Sequence, residues 1–157
     1  ITMKTFLHSF FVFALLFAAG CDDRSAPEDR SVSYLLQDYT LGDTWQWGDT
    51  PYGELRIVRS QEELAHCITP NETLPADIDF SKYSLLLLKG LTANLYHGIH
   101  KSLYSEGETL CFNIDIYYGE IVFPTGDYFR IACLATPPIP DGTEVQIKYN
   151  EIYDLPD

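Results

Sequence analysis

The sequence predicts a mainly β fold, a single antiparallel, β-sandwich-like domain with one short N-terminal α-helix; an α+β arrangement is the alternative. Three observations carry this expectation. The chain holds 11 Tyr and 9 Phe against a single Met, and its later segments are rich in tyrosine and β-branched residues, which suit a pleated surface better than a helix bundle. Glu108 to Tyr118 alternates cleanly, with Leu110, Phe112, Ile114, Ile116 and Tyr118 set against Cys111, Asn113, Asp115 and Tyr117. Turn clusters also recur between apolar runs, as at Glu106-Gly107, at Pro124-Thr125-Gly126-Asp127, and in the proline-rich loop from Thr136 to Gly142.

Taken in order, Tyr34 to Tyr52 carries Leu35, Leu36, Tyr39, Trp45 and Trp47, punctuated by Gly42, Gly48 and Pro51. Trp45 and Trp47 flank Gln46 and share one face of an extended strand. Exposed, such a pair stacks on sugar rings, but aromatic residues at this spacing more often pin a terminal segment onto a core. Glu54 to Arg59 reads as a short strand. Ser60-Gln61-Glu62-Glu63 has the form of a capping box, with the serine hydroxyl accepting from the Glu63 amide while the Glu63 side chain reaches back. Leu64, Cys67 and Ile68 then form the apolar stripe of a helix that Pro70 ends.

Ser84 to Lys89 contains the unbroken run Leu85 to Leu88, so a strand buried on both faces is expected there, ending at Gly90. Asn94 to Tyr104 alternates as a strand, with Leu95, Ile99 and Leu103 opposed to Tyr96, His100 and Tyr104. After the Glu108 to Tyr118 strand, Tyr128 to Ala135 is expected to return as the second arm of a hairpin, with Phe129, Ile131 and Cys133 inward. A last strand runs from about Thr143 to Tyr153, with Val145, Ile147 and Tyr149 inward.

The N-terminal segment is of another kind. Met3-Lys4 provides a positive start, Phe6 to Phe17 is apolar apart from His8 and Ser9, and Ala18-Ala19-Gly20 places small residues before Cys21. The apolar run is the length of a signal core and too short for a transmembrane helix. Leu16-Phe17-Ala18-Ala19-Gly20-Cys21 resembles the lipobox of bacterial lipoproteins. That resemblance implies cleavage before Cys21, diacylation of its thiol and palmitate or a similar chain on its amine, and two or three chains anchor firmly. Asp22 and Asp23 resemble the sorting acids of Bacteroidota lipoproteins, although Arg24 interrupts them. The resemblance implies an outer-membrane protein exposed at the cell surface, with a periplasm-facing orientation as the alternative. The expected organisation is a signal peptide over 1–20, a flexible tether over 21–33, and one globular domain over 34–157.

The formal net charge is −13. Such a surface repels phosphate backbones, which argues against nucleic-acid binding. Cys67, Cys111 and Cys133 follow Cys21, and a Cys67 to Cys133 disulfide is possible in an oxidising envelope. Cys67 beside His66 invites a thiolate reading, but neighbours on a helix point apart and Cys67 belongs to the apolar stripe.

His97 and His100 form His-x-x-His, which on a strand sends the two rings to opposite faces, so no metal site is assigned. No nucleophile elbow, phosphate-binding glycine loop or HExxH occurs, and no catalytic residue or cofactor is assigned. Asp77, Asp79, Asp115, Glu120 and Asp127 supply carboxylates without a preferred pair.

The order of short strand, Ser-Gln-Glu-Glu-Leu helix, Ile-Asp-Phe-Ser-Lys-Tyr and apolar strand resembles small lipid-anchored domains of the Bacteroidota. More distantly, it is similar to the C-terminal domain of the protease-complex regulator (PrcB-like) family over roughly residues 54 to 150. The expectation is a non-catalytic envelope module that binds a protein or glycan, with Trp45, Trp47 and Tyr117 as candidate contacts. The alternative is a hydrolase of polysaccharide or peptide acting through a carboxylate pair such as Asp79 and Asp115.

Overall fold

Leu85, Leu86, Leu87 and Leu88 are each at most 1% exposed, which requires cover on both faces of the strand that bears them. In the computed structural model, which describes residues 32–41, 47, 50–67, 78–119 and 124–153, that cover comes from a second curved layer of sheet on one side and a helix on the other. The elements are β1 (Ser33–Asp38), β2 (Leu55–Val58), α1 (Gln61–Cys67), β3 (Ser84–Thr92), β4 (Gly98–Glu106), β5 (Thr109–Tyr118), β6 (Asp127–Thr136) and β7 (Val145–Tyr153). The strands hydrogen-bond in the order β2-β3-β6-β1-β4-β5-β7. The fold is mainly β and sandwich-like, as the alternation predicts.

β1 is the strand that joins the two layers. Ser33 and Tyr34 pair with Tyr104 and Leu103 of β4, and Leu35 to Asp38 then pair with Thr136 to Cys133 of β6. Where β1 parts from β4, Lys101 Nζ meets Asp38 Oδ1 at 2.5 Å. The two layers enclose the larger core, built from Leu86 and Leu88 of β3, Leu103 of β4, Phe112, Ile114, Ile116 and Tyr118 of β5, and Phe129 and Ile131 of β6. On the outer face of β3 lies the smaller core, in which Leu85 and Leu87 meet Leu64 and Cys67 of α1 together with Trp47, Val58, Ile78 and Leu134.

Local chemistry sets the helix. Ser60 Oγ accepts from Glu63 N at 3.1 Å, and Glu63 Oε2 accepts from Arg59 N at 2.7 Å. The glutamate thus reaches back one residue further than the expected box, to the amide preceding the serine. Arg59 also ties down the proline-rich loop, donating to Ile139 O at 2.9 Å and Pro140 O at 3.0 Å. Ile139, 1% exposed, closes one end of the larger core, its amide donating to Ser84 Oγ at 2.9 Å.

Several expectations are corrected. β3 does not stop at Gly90 but runs to Thr92, because Gly90 is the seat of the Phe129 ring. A Cβ on Gly90 would lie 2.0 Å from Phe129 Cζ, so only glycine lets the ring lie flat on the strand. β4 begins at Gly98 rather than near Asn94. β6 forms no hairpin with β5; it pairs with β3 over nine residues, from Ser84↔Ala135 to Thr92↔Asp127. β7 runs parallel to β5, from Leu110↔Val145 to Tyr118↔Tyr153, so the sheet is mixed at that edge.

The disulfide expected as possible between Cys67 and Cys133 is not made. Both are buried thiols, but Cys67 lies in the smaller core and Cys133 in the larger, with the sheet between them. Cys21, the tether, Trp45, Ile68 and Pro70 lie outside the described residues. No helix among the described residues is long and apolar enough to cross a membrane.

Candidate functional site

The two edge strands of the curled sheet, β2 and β7, do not close on each other, and between them lies a groove. Its first wall exists because β2 covers β3 only from Leu85 to Leu88. The chain leading into β2 adds one parallel bridge, Tyr52↔Lys89, and Gly53, at φ 78, donates its amide to Lys89 O at 2.8 Å. Beyond that point, over Gly90, Leu91 and Thr92, no strand among the described residues pairs with the edge of β3 that faces away from β6. The second wall is the inward face of β7, whose side chains change from Val145 and Ile147 to Tyr149 and Glu151. Ile116 and Tyr118 at the end of β5 make the floor. The groove has a volume of about 330 Å³ and is lined by Tyr52, Leu91, Tyr118, Tyr149 and Glu151 among others.

Its walls are aromatic and partly solvent-exposed: Tyr52 is 54% exposed, Leu91 70% and Tyr149 46%. Tyr118 is buried and stacks on Tyr153 with centroids 4.9 Å apart and planes at 19°. Both phenols point at one acid. Tyr118 Oη donates to Glu151 Oε1 at 3.4 Å, and Tyr153 Oη to Glu151 Oε2 at 3.0 Å. Burial, and next the nearby Glu151 charge, push the Tyr118 phenol up to about 12, while the bond to Glu151 raises Tyr153. Among the described residues no cationic side chain pairs with Glu151.

The residues singled out from sequence mostly lie elsewhere. Trp47 is 5% exposed in the smaller core, with φ 50 rather than an extended backbone, so it is a packing residue and presents no ligand surface. Tyr117 is half-buried on the outer face of β5, its ring 6.3 Å from that of His97. It points away from the groove that its neighbour Tyr118 floors. Trp45 lies outside the described residues.

The outer face of β4, β5 and β7 holds a polar ladder. Asn150 Nδ2 donates to Asn113 Oδ1 at 2.9 Å and to Asp115 Oδ1 at 2.7 Å. Asn113 Nδ2 also donates to Asp115 Oδ1, and His100 Nδ1 lies 3.5 Å from Asp115 Oδ2. Asn150 above all, then Asn113 and His100, hold Asp115 below the ordinary carboxylate range. At the other end of the ladder Lys148 pairs with Glu106, which also accepts from Cys111 Sγ at 3.4 Å.

Asp79 serves a turn, bound by Lys82 Nζ at 2.7 Å and by the amide and hydroxyl of Ser81. Those contacts, the lysine first, lower its carboxyl to about 2. Asp79 and Asp115 are not brought together, and each is shifted down, opposite to what a general acid requires. Among the described residues no group of three or more His, Cys, Asp and Glu side chains is arranged to hold a metal.

No family model, no curated protein and no solved structure matches this chain. The groove is not legible in the sequence because its walls come from segments far apart in the chain. One local signal was present: Glu151 occupies the inward parity of β7, after Val145, Ile147 and Tyr149, where an apolar residue belongs.

Proposed function

We propose that this chain is a lipid-anchored, non-catalytic binding or accessory module of a bacterial outer membrane, exposed at the cell surface. It engages its partner, a protein or a glycan, through the groove between β3 and β7. The single observation that carries the binding role is that groove, an exposed aromatic seam of about 330 Å³, at the lower end of the roughly 300–1,000 Å³ usual for ligand sites. The anchor rests on the lipobox pattern ending at Cys21 and on the acids that follow it. The family resemblance makes modulation of a secreted protease one specific form of the role.

The test has two parts. Mass spectrometry of the processed protein should find a thioether-linked diacylglycerol on an N-terminal Cys21; an unmodified cysteine sinks the anchor. Pull-down of the intact lipoprotein from envelope extracts should enrich a protein or glycan that Tyr149→Ala loses. Enrichment equal in wild type and variant sinks the groove as the binding surface.

A further inference from the structure

We infer that the groove is a seat for an alkylammonium group, and that its occupant is a lysine side chain on an extended segment of a partner protein. This deepens the binding role proposed above and rests on it. Glu151 is the acid of the groove lining. Its carboxylate is held in place by two neutral phenols, Tyr118 and Tyr153, and no cation among the described residues answers its charge. An oriented acid beside aromatic faces attracts a cation twice over, through the carboxylate and through the ring quadrupoles. The protein already uses the second attraction next door: Lys89 Nζ stands 4.9 Å from the Tyr52 ring centroid, on its way to Trp47 O at 3.0 Å.

The remaining lining selects among ligands. Leu91, Ile116 and Tyr149 offer apolar surface for a methylene stem whose charged head reaches Glu151. Thr92, the one hydroxyl-bearing aliphatic residue of the lining, already donates its hydroxyl to Asn94 O at 2.7 Å. A neutral oligosaccharide would leave the Glu151 charge without a counter-charge, and the volume suits one side chain better than a chain of sugar rings. An anion is repelled by Glu151 and by a net charge of −13; the same charge draws in a basic partner.

The backbone adds a reason for an extended segment. Lys89 O faces away from β6, since it accepts from Gly53 N. Backbone groups alternate along a strand, so the N–H and C=O of Leu91 face the same way, into the groove, where no strand among the described residues covers them. An incoming strand can pair with them while its lysine enters the seam.

The experiment titrates the full chain with three probes: blocked Ala-Lys-Ala, the same peptide with norleucine for lysine, and cellohexaose. Nuclear magnetic resonance shifts at Tyr149 and Glu151 report the site. Saturable binding of the lysine peptide is expected, with the norleucine peptide about tenfold weaker or more. Glu151→Gln should cost about the same factor, and Glu62→Gln on α1, which removes the same charge from another exposed position, should cost nothing.

Equal loss in both variants would reduce the effect to diffuse charge and overturn the assignment. So would norleucine or cellohexaose binding as well as lysine. Failure of all three probes also overturns it. In that event the groove's binding role is judged separately, by whether Tyr149→Ala still loses the partner enriched from envelopes.

Discussion

The two sides of the sandwich are closed differently. On one side β1 stitches the layers with backbone hydrogen bonds, leaving β4 after Tyr34 and taking up β6 from Leu35. On the other, no backbone pairing joins β3 and β7 among the described residues, and they face each other through side chains around Tyr52, Tyr118, Tyr149 and Glu151. A backbone seam satisfies its polar groups internally and offers nothing to a partner. A side-chain seam leaves an edge, aromatic faces and an acid for something else to satisfy. Function is therefore expected where the sheet fails to close.

The contrast can be broken most forcefully on the stitched side. Leu103 of β4, 2% exposed, packs in the larger core directly opposite Tyr34 of β1. Leu103→Ala should cost about 2–5 kcal/mol, read from denaturant midpoints, and should loosen hydrogen-exchange protection along β1. Loss of less than about 1 kcal/mol would mean that the stitched side is not the stabilising one.

Gly90→Ala tests the open side. The added methyl meets the Phe129 ring at 2.0 Å, and the ring must leave its seat or the strand must shift, at about 1–3 kcal/mol. Because Phe129 also stands edge-on to Tyr149, with centroids 6.5 Å apart, this variant should disturb the groove as well as stability.

A smaller effect separates the two contributions to Tyr118. Its phenol is raised from 10.0 to about 12, by burial first and Glu151 next. The folded state thus favours the neutral phenol, and the stability this brings is complete below the unfolded value near 10 and lost as pH rises through about 12. Glu151→Gln should bring the phenol's midpoint down, seen by phenolate absorbance, yet leave it above its ordinary value because burial remains.

The smallest concerns an acid outside both seams. Asp79 has a cationic partner, Lys82, where Glu151 has none among the described residues, and its carboxyl is lowered from 3.8 to about 2. Its favourable contribution is present above pH 3.8 and lost as pH falls through about 2. Carboxyl titration by nuclear magnetic resonance should show the midpoint rising toward 3.8 in Lys82→Ala. An unmoved midpoint would show that the Ser81 bonds alone hold it.

Much of this architecture is legible in the chain. The alternation from Leu110 to Tyr118 named the core face of β5 residue by residue, the four leucines of β3 announced a strand covered on both sides, and Ser60 with Glu63 announced the helix start. Each is local: periodicity along a few residues reports which face is dry, and a cap needs only its neighbours. What covers a dry face is another matter. The pairing of β6 with β3, the parallel approach of β7 to β5, and the burial of Trp47 under the helix layer were settled by contacts between distant segments. So was the groove, where Tyr52, Leu91, Tyr118 and Tyr149 meet an acid that by parity alone looks misplaced. A strand's own sequence carries its inside and outside but not the identity of its neighbour, because the backbone hydrogen bonds that join strands are the same whichever two are joined.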